Sequence, residues 1–367
     1  MIEWIPTRLG NVLKYEQPTK YIVASTQYKD SYSTPVLTAG QSFILGHTNE
    51  GNNIFSEVPV IIFDDFTTAI KYVDFPFKVK SSAMKILKNN KEVSDIRFLF
   101  YLMKTLKTDS ERHKRYWIST YAELKIPLPP LDQQKKIAAI LDAADAYRQK
   151  TKALITKYEE LTQSLFLDMF GDPVRNPMGW EKVDLNKLCD FKKTNIKPEE
   201  IVNGEAYIGL ECIEKKTGKI VEKFIVEAGE IKSNKFWFNH DYILYGKLRP
   251  YLNKVANPDF EGICSTDIIP IKPIKEHASK EFIISLLRGS WFVAFADERS
   301  SGANLPRISP KEVEKYHTIT PPLELQNQFA KRVQAIEAQK AQAQGSLVRA
   351  EDLFNSLLQK AFKGELL

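Results

Sequence analysis

The feature that most constrains this chain is one pattern that occurs twice, 192 residues apart. A proline-rich segment, Ile126–Gln134 with the sequence IPLPPLDQQ, precedes a long helical pattern, and Ile319–Gln326 with the sequence ITPPLELQ precedes another. Gln326 stands 192 positions after Gln134. A chain made of two copies of a globular segment and a long helix is suited to contact two similar ligands. The repeat therefore indicates a binding architecture.

Apolar side chains recur along both helical segments in alternating steps of four and three residues, which is the spacing of a coiled-coil seam. The seam is predicted at Ile137, Leu141, Ala144, Ile155, Tyr158, Leu165, Met169, Phe329, Val333, Ile336, Leu347, Phe354 and Leu357. Two cations, Arg148 and Lys340, interrupt it at equivalent positions, and we interpret them as side chains that extend to the surface. Because the chain returns along the second helix after a globular block, the helices are expected to be antiparallel.

Helix start and stop signals divide the chain into four segments. Prolines stand at the start of each long helix, and Gly171 and Gly364 follow the ends. We predict a first globular block at 1–128, a first long spacer helix at 129–171, a second globular block at 172–320 and a second long helix at 321–367. The predicted fold is α+β, with two globular α/β domains separated by two long antiparallel coiled-coil helices in a pseudo-twofold internal repeat.

Composition places the chain among ordinary globular proteins, with 43% apolar and 27% charged residues and a net charge of +6. No apolar run reaches the roughly 18 residues that a bilayer crossing needs, so no membrane association is expected. The three cysteines are far apart and match no metal or redox spacing, which favours a reducing cytoplasm. Residues 1–128 carry 17 basic and 13 acidic side chains, an excess of four that permits nucleic-acid binding.

The sequence lacks the motifs of the enzymes that act on DNA. It contains no GxxxxGK phosphate loop and no Asn/Asp-Pro-Pro-Tyr/Phe tetrapeptide, which is typical of adenine methyltransferases. The adjacent Asp64 and Asp65 imitate a nuclease metal pair, but no acid–x–lysine element follows them closely. We therefore predict a non-catalytic protein without a metal site.

Several motifs resemble those of one family. They are the PLPPLDQQ segment that ends at Gln134, the SLFLDMFGD segment at Ser164–Asp172, ILYGKLRPY at Ile243–Tyr251 and AFKGEL at Ala361–Leu366. With them the whole chain resembles the specificity subunit of type I DNA restriction–modification enzymes, although Leu325 replaces a more usual acidic or glutamine residue.

The resemblance implies that each block is a target recognition domain for one half of a split site in double-stranded DNA, and that the helices hold the domains apart. It also implies two modification subunits, which bind S-adenosylmethionine and methylate adenine N6. Separate restriction subunits would translocate and cleave DNA with ATP and Mg²⁺. No cofactor is expected on this chain itself.

DNA sequence is read by Arg or Lys on guanine and by Asn or Gln on adenine, while Lys, Arg, Ser and Thr hold phosphates. Polar and cationic clusters on predicted loops are therefore the candidate DNA contacts. In the first block they are Lys78, Lys80, Ser81, Ser82, Lys85, Arg112, His113, Lys114, Arg115 and Tyr116. In the second block they are Lys192, Lys193, Lys247, Arg249, Tyr251, Arg299, Ser300, Ser301, Asn304 and Arg307.

Two other functions remain open on the sequence. One is a self-sufficient two-domain DNA enzyme, a nuclease or a methyltransferase, which the missing motifs disfavour. The other is a coiled-coil adaptor that binds two protein partners. Sequence-specific protection of DNA would separate the recognition subunit from the adaptor, and activity of the purified single chain would favour the enzyme.

Overall fold

The computed structural model of the chain describes residues 4–40, 42–106 and 116–367. Internal contacts divide the chain into two compact units. Unit 1 comprises Met1–Thr151 and Ser346–Leu367, and unit 2 comprises Lys152–Gly345. Each unit therefore contains one globular block and a part of both long helices.

The first block contains nine strands and three α-helices among its described residues. Its strands are β1 (Ile5–Arg8), β2 (Leu13–Glu16), β3 (Thr34–Leu37), β4 (Ile44–Thr48), β5 (Val60–Asp64), β6 (Ile70–Val73), β7 (Lys78–Val79), β8 (Met84–Asn89) and β9 (Lys125–Leu128). Its helices are α1 (Leu9–Val12), α2 (Ile96–Thr105) and α3 (Tyr116–Ser119), and the first long helix, α4, covers Leu131–Phe170.

The second block is built from short strands and three helices. Its strands are β10 (Lys182–Asp184), β11 (Cys189–Asp190), β12 (Asn195–Ile196), β13 (Glu205–Ile208), β14 (Phe224–Val226), β15 (Lys235–Phe238), β16 (Ile243–Gly246), β17 (Val255–Ala256), β18 (Gly262–Cys264), β19 (Ile268–Pro273) and β20 (His317–Ile319). Its helices are α5 (Lys280–Arg288), α6 (Ser290–Glu298) and α7 (Pro310–Glu314), and the second long helix, α8, covers Leu323–Lys363.

The predicted internal repeat is present in the sheet topology. Block 1 has a four-stranded antiparallel sheet in the order β2-β8-β5-β6, and block 2 has one in the equivalent order β11-β19-β16-β17. In each block the first strand pairs with the last, β1 with β9 and β10 with β20, so the two ends of the block meet next to a long helix. The second sheets differ, with three strands in block 1 and five in block 2.

The long helices pack as antiparallel partners within each unit. In unit 2 the Phe170 and Phe329 ring centroids lie 5.2 Å apart, and Lys340 Nζ lies 3.3 Å from Glu159 Oε1. In unit 1 the Arg148 guanidinium lies 4.4 Å from the centroid of the Phe354 ring. As the residue number rises on α4, its partner's number falls on α8. The 4-3 seam positions of both helices are buried or half-buried.

The interpretation of the two seam cations as surface-seeking side chains is wrong. Lys340 is only 7% exposed and bridges two carboxylates, Glu159 on the facing helix and Glu337 on its own. Arg148 pairs with Asp145 and covers the Phe354 ring. Burial of these cations is offset by paired charge and an aromatic face rather than by water.

A buried glutamine lies at the start of each long helix and binds backbone groups of the block before it. Gln134 accepts a hydrogen bond from the Asp95 amide at 2.8 Å and donates to the carbonyls of Val93 and Pro129. Asp95 is also the N-cap of α2, whose side chain accepts from the Phe98 amide. The glutamine thus attaches the cap of the block helix to the start of the long helix.

The same contacts recur 192 residues later. Gln326 accepts from the Ser279 amide at 3.0 Å and donates to the carbonyls of His277 and Pro321. Ser279 is in turn the N-cap of α5. Gln134 and Gln326 are both fully buried, so their amides satisfy backbone groups that water does not reach.

Among the described residues, no helix combines the length and the apolar composition that a bilayer crossing requires.

We expect Gln326→Leu to lower the free energy of unfolding of unit 2 by about 1–3 kcal/mol, because it preserves the volume but leaves buried backbone groups unpaired. Gln328→Leu is the matched control, since Gln328 is exposed two residues further along the same helix. The free energy of unfolding of the control variant should differ from that of the unchanged chain by less than about 0.5 kcal/mol. Urea unfolding followed by circular dichroism measures both variants, and equal midpoints would contradict a structural role for the glutamine.

Candidate nucleic-acid interface

In unit 2 the structure brings two of the predicted segments together. Strand β16 ends at Gly246, and the following loop meets the loop that follows α6. The Arg249 amide donates to the Pro306 carbonyl at 2.7 Å, and the Ile308 amide donates to the Lys247 carbonyl at 3.1 Å. The Arg249 guanidinium reaches the Asn304 carbonyl at 3.4 Å. Cationic and amide side chains from distant parts of the sequence therefore share one surface.

The second loop is held in shape by its own backbone. The Ser301 amide donates to the Arg307 carbonyl at 3.0 Å, and the Arg307 amide donates back to the Ser301 carbonyl at 2.9 Å. The residues between them, including Asn304, are mostly exposed. Arg249 is exposed and has a left-handed backbone with φ of 52°. Exposed cations on loops fixed in this way are available to a ligand without reordering of the backbone.

Asp267 lies among these cations, and sequence reasoning missed it. Its carboxylate accepts from Arg307 Nε at 3.1 Å and Nη2 at 3.4 Å, and lies 3.8 Å from Lys247 Nζ. A single aspartate just before a strand has no sequence pattern that marks it. Only the pairing of β16 with β19, which places Gly246 opposite Ile268, brings it to the site.

Lys193 belongs to the same surface. Burial lowers the pKa of its ammonium group, and the nearby positive charge of Lys247 lowers that pKa further. The Lys193 ammonium also lies 5.1 Å from the centroid of the Phe236 ring. Lys192 beside it is exposed, and its backbone amide donates to Asp190. We use the name cation cluster for Lys193, Lys247, Arg249 and Arg307.

Other predicted residues of block 2 face elsewhere. Arg299 stacks 4.3 Å from the Phe295 ring centroid and pairs with Glu312. The Ser300 hydroxyl donates a hydrogen bond to the carbonyl of Asp297, in the last turn of α6. Tyr251 is half-exposed.

Tyr251 lines a groove of about 1350 Å³ that the long helices share with block 2. The lining of this groove has mixed charge, including Glu159, Glu281, Arg288 and Lys340. None of the cation cluster lines this groove, and Arg299 does not line it either.

In block 1 two of the lysines predicted to contact DNA are buried, and each pairs with a carboxylate inside the protein. Lys78 is 1% exposed, and its ammonium lies 3.0 Å from Glu50 Oε2 and donates to the Asn52 carbonyl. The hydrogen bond that Lys78 donates to Glu50, together with bonds from the Ser25 and Ala24 amides, lowers the pKa of Glu50. Lys85 is 4% exposed and lies 3.4 Å from Asp65 Oδ2. Neither side chain is available to DNA in this structure.

Of the other predicted residues of block 1, three lie at or near the surface, one belongs to the core and four lie outside the described residues. Lys80 and Ser82 are exposed, and Ser81 is half-buried. Tyr116 is 7% exposed at the start of α3 and belongs to the core. The remaining four predicted contacts lie outside the described residues: Arg112, His113, Lys114 and Arg115.

Asp64 and Asp65 have structural partners rather than the arrangement of a metal pair. The Asp64 carboxylate accepts from the Phe66 amide and the Thr67 hydroxyl. Asp65 accepts from the Trp117 amide at 2.9 Å as well as pairing with Lys85. Within 4–40, 42–106 and 116–367, no group of three or more His, Cys, Asp and Glu side chains is placed to hold a metal ion.

The two blocks connect their loops through equivalent bonds. The Tyr116 amide donates to the Asp65 carbonyl at 3.4 Å, as the Ile308 amide donates to the Lys247 carbonyl. Asp65 follows β5, and Lys247 follows the equivalent strand β16. The same scaffold position therefore carries an acidic residue in block 1 and a cation in block 2. At this position the two blocks therefore differ in the sign of their charge.

Comparison with curated proteins gives relatives of one kind. Over 175 residues the chain is 45% identical to the Escherichia coli EcoR124I/EcoR124II specificity subunit, an alignment that covers 46% of this chain and 41% of that protein. It is 29% identical over 194 residues to the Escherichia coli EcoDI specificity subunit, covering 52% and 43%. The chain thus spans less than half the length of these two relatives. The Methanocaldococcus jannaschii MjaVIII specificity subunit is 23% identical over 373 residues, covering 91% and 86%.

Solved structures share the fold along nearly the whole chain. The crystal structure of the type I restriction–modification S subunit from M. genitalium matches with a TM-score of 0.62 and 16% identity, covering 98% of this chain and 96% of that one. A chain from a structure on complex assembly in a type I R-M system matches with a TM-score of 0.51 and 17% identity, covering 100% and 99%. The family model for the type I restriction modification DNA specificity domain matches residues 1–162 and 177–346. Since these two matches span most of the sequence, the chain belongs to the family of type I restriction modification DNA specificity domains.

Proposed function

We propose that this chain is the sequence-specific DNA-recognition subunit of a type I restriction–modification complex, and that each block reads one half of a bipartite site in double-stranded DNA. The observation that carries the proposal is the duplicated scaffold with divergent loops. The four-stranded sheet order, the first-to-last strand pairing and the buried glutamine recur in both blocks. Two scaffolds that share these features but carry different loops suit one class of ligand with two different sequences.

The chemistry of the cation cluster supports DNA as that ligand. Arg249 and Arg307 present guanidinium groups, which match the acceptor pair of guanine in the major groove and also hold phosphates. Asn304 on the same surface carries an amide, the group that pairs with adenine. Lys247 and Lys193 add positive charge that attracts the phosphate backbone. An adaptor for two protein partners would not need this combination.

We propose that catalysis belongs to partner subunits. Two modification subunits would bind S-adenosylmethionine and methylate adenine N6, and restriction subunits would use ATP and Mg²⁺. The absence of phosphate-loop and adenine-methyltransferase motifs from the sequence supports this division. So do the internal partners of Asp64 and Asp65, because carboxylates held in this way have little freedom to bind a metal ion.

The first test is to express the chain with and without its modification subunits and to map methylated adenines across the host genome. We expect a single split motif with the pair of components and no methylation with either alone. Purified chain incubated with duplex DNA and labelled S-adenosylmethionine should transfer no methyl group. Transfer by the pure chain would favour a self-sufficient enzyme, and unchanged methylation on adding the chain would favour the adaptor.

The second test is Arg249→Ala, with Arg175→Ala as a control that removes the same charge from an exposed site of the same block. If Arg249 contacts a base, the variant should lose about 1–3 kcal/mol of affinity for the motif and relax one position of it. If it contacts a phosphate, affinity should fall for all sequences and the salt slope should drop by about 1. Titration of motif and scrambled duplexes at several salt concentrations measures both. Equal affinities of both variants and the unchanged complex would place the DNA surface elsewhere.

A further inference from the structure

Asp267 is a carboxylate in a place where DNA binding alone would favour none. It stands directly before β19, and its amide donates to Ser265 Oγ at 3.3 Å. Its carbonyl accepts from the Lys247 amide at 2.9 Å. The backbone of Asp267 is therefore fixed by the sheet edge from which the Lys247 loop starts. Its side chain projects from a rigid element rather than from a free loop.

The side chain of Asp267 orients one guanidinium. Two nitrogens of Arg307 donate to its two carboxylate oxygens, at 3.1 and 3.4 Å. A two-point contact between planar groups fixes the plane of the guanidinium as well as its position. A third contact of Arg307, from Nη1 to the Leu305 carbonyl at 3.3 Å, completes the hold. Arg307 is thus ordered before any ligand is bound.

Stability is a weak explanation for this arrangement. The side chains of Arg307, Asp267 and Lys247 are 42%, 30% and 23% exposed. Ion pairs exposed to this degree contribute little to folding, because solvent screens them. A negative charge in the cluster also weakens the attraction to phosphates, which supplies most non-specific affinity. The Asp267 carboxylate therefore weakens the non-specific attraction to DNA phosphates, while it fixes the orientation of the Arg307 guanidinium.

We propose that Asp267 is a specificity-determining positioning residue of block 2. It holds Arg307 in a fixed orientation towards a base edge and offsets part of the cluster's charge, so that incorrect sequences bind less well. Preorganisation of Arg307 reduces the ordering cost on the correct sequence, and the carboxylate disfavours contacts in which a phosphate approaches the cluster in its place. This inference rests on the proposed function, since it assumes that block 2 reads DNA.

The test compares Asp267→Asn with Asp241→Asn in the full chain assembled with its modification subunits. Asp241 lies just before the start of β16 and pairs with Lys272 and Lys275, whereas Asp267 lies near the end of β16, beside Lys247. Each substitution therefore removes one negative charge, but at a different end of that strand. Three kinds of duplex serve as probes. The first carries the motif mapped for the unchanged complex, and the second is a set in which each duplex changes one base pair of one half-site. The third has a scrambled sequence.

For Asp267→Asn we expect tighter binding to the scrambled duplex, a salt slope steeper by up to about 1, and about a 10-fold loss of discrimination at one position of the block 2 half-site. Asp241→Asn should keep the discrimination of the unchanged complex. Asp267→Glu, which restores the charge, should recover part of the lost discrimination. In an Arg307→Gln background, Asp267→Asn should cause no further loss, because the group that it orients is absent.

The results distinguish a failure of the proposed DNA-recognition function from a failure of the role proposed for Asp267. If the unchanged complex does not distinguish the motif from scrambled DNA, the proposed function itself fails. If it does, and Asp267→Asn discriminates as well as Asp241→Asn, the inference is wrong. A loss at many positions in both half-sites, with a lowered melting temperature, would also overturn it, because it would indicate damage to the fold. In that case, the melting temperature of Asp267→Glu shows whether folding requires only the negative charge or the aspartate side chain itself.

Discussion

The structure depends on a buried glutamine at the start of each long helix. Gln134 and Gln326 each join three backbone groups, two at the start of a block helix and one at the turn into the long helix. A buried amide is costly unless all its hydrogen bonds form, so the contact tolerates one geometry only. Each block is thereby attached in the same way to the helix that follows it.

That attachment leaves the loops of each block free to differ. The sheet and the glutamine contacts define where the loops after β5 and β16 begin, whereas nothing in them restricts the loop chemistry. In block 2, Lys247 and Arg307 lie around Asp267, and Arg249 lies on the same pair of loops. Block 1 has Asp65 where block 2 has Lys247, and Asp65 pairs with the buried Lys85. A common scaffold with different loops would account for the two different DNA-reading surfaces that we propose for this chain.

Periodicity and repetition made the helices and the internal repeat predictable from sequence. Proline starts and glycine stops gave helix ends within two residues of Leu131–Phe170 and within a few residues of Leu323–Lys363. The site was less predictable, because burial and pairing depend on distant strands. Lys78 appears as a loop cation in the sequence yet is buried against Glu50, and Asp267 gains its role only from the β16–β19 register. Sequence reasoning identified the cations of block 2 but not the carboxylate that orients one of them.

The central claim is that the two blocks are independent readers on one scaffold. Exchange of residues 1–125 for the same block of a relative with a different target tests it most directly, with methylated motifs mapped for the exchanged chain and its modification subunits. The exchange leaves Gln134 and all of unit 2 in place. We expect one half of the motif to change to that of the donor, while the other half stays as in the unchanged complex. A change in both halves, or in neither, would contradict independent reading by the two blocks.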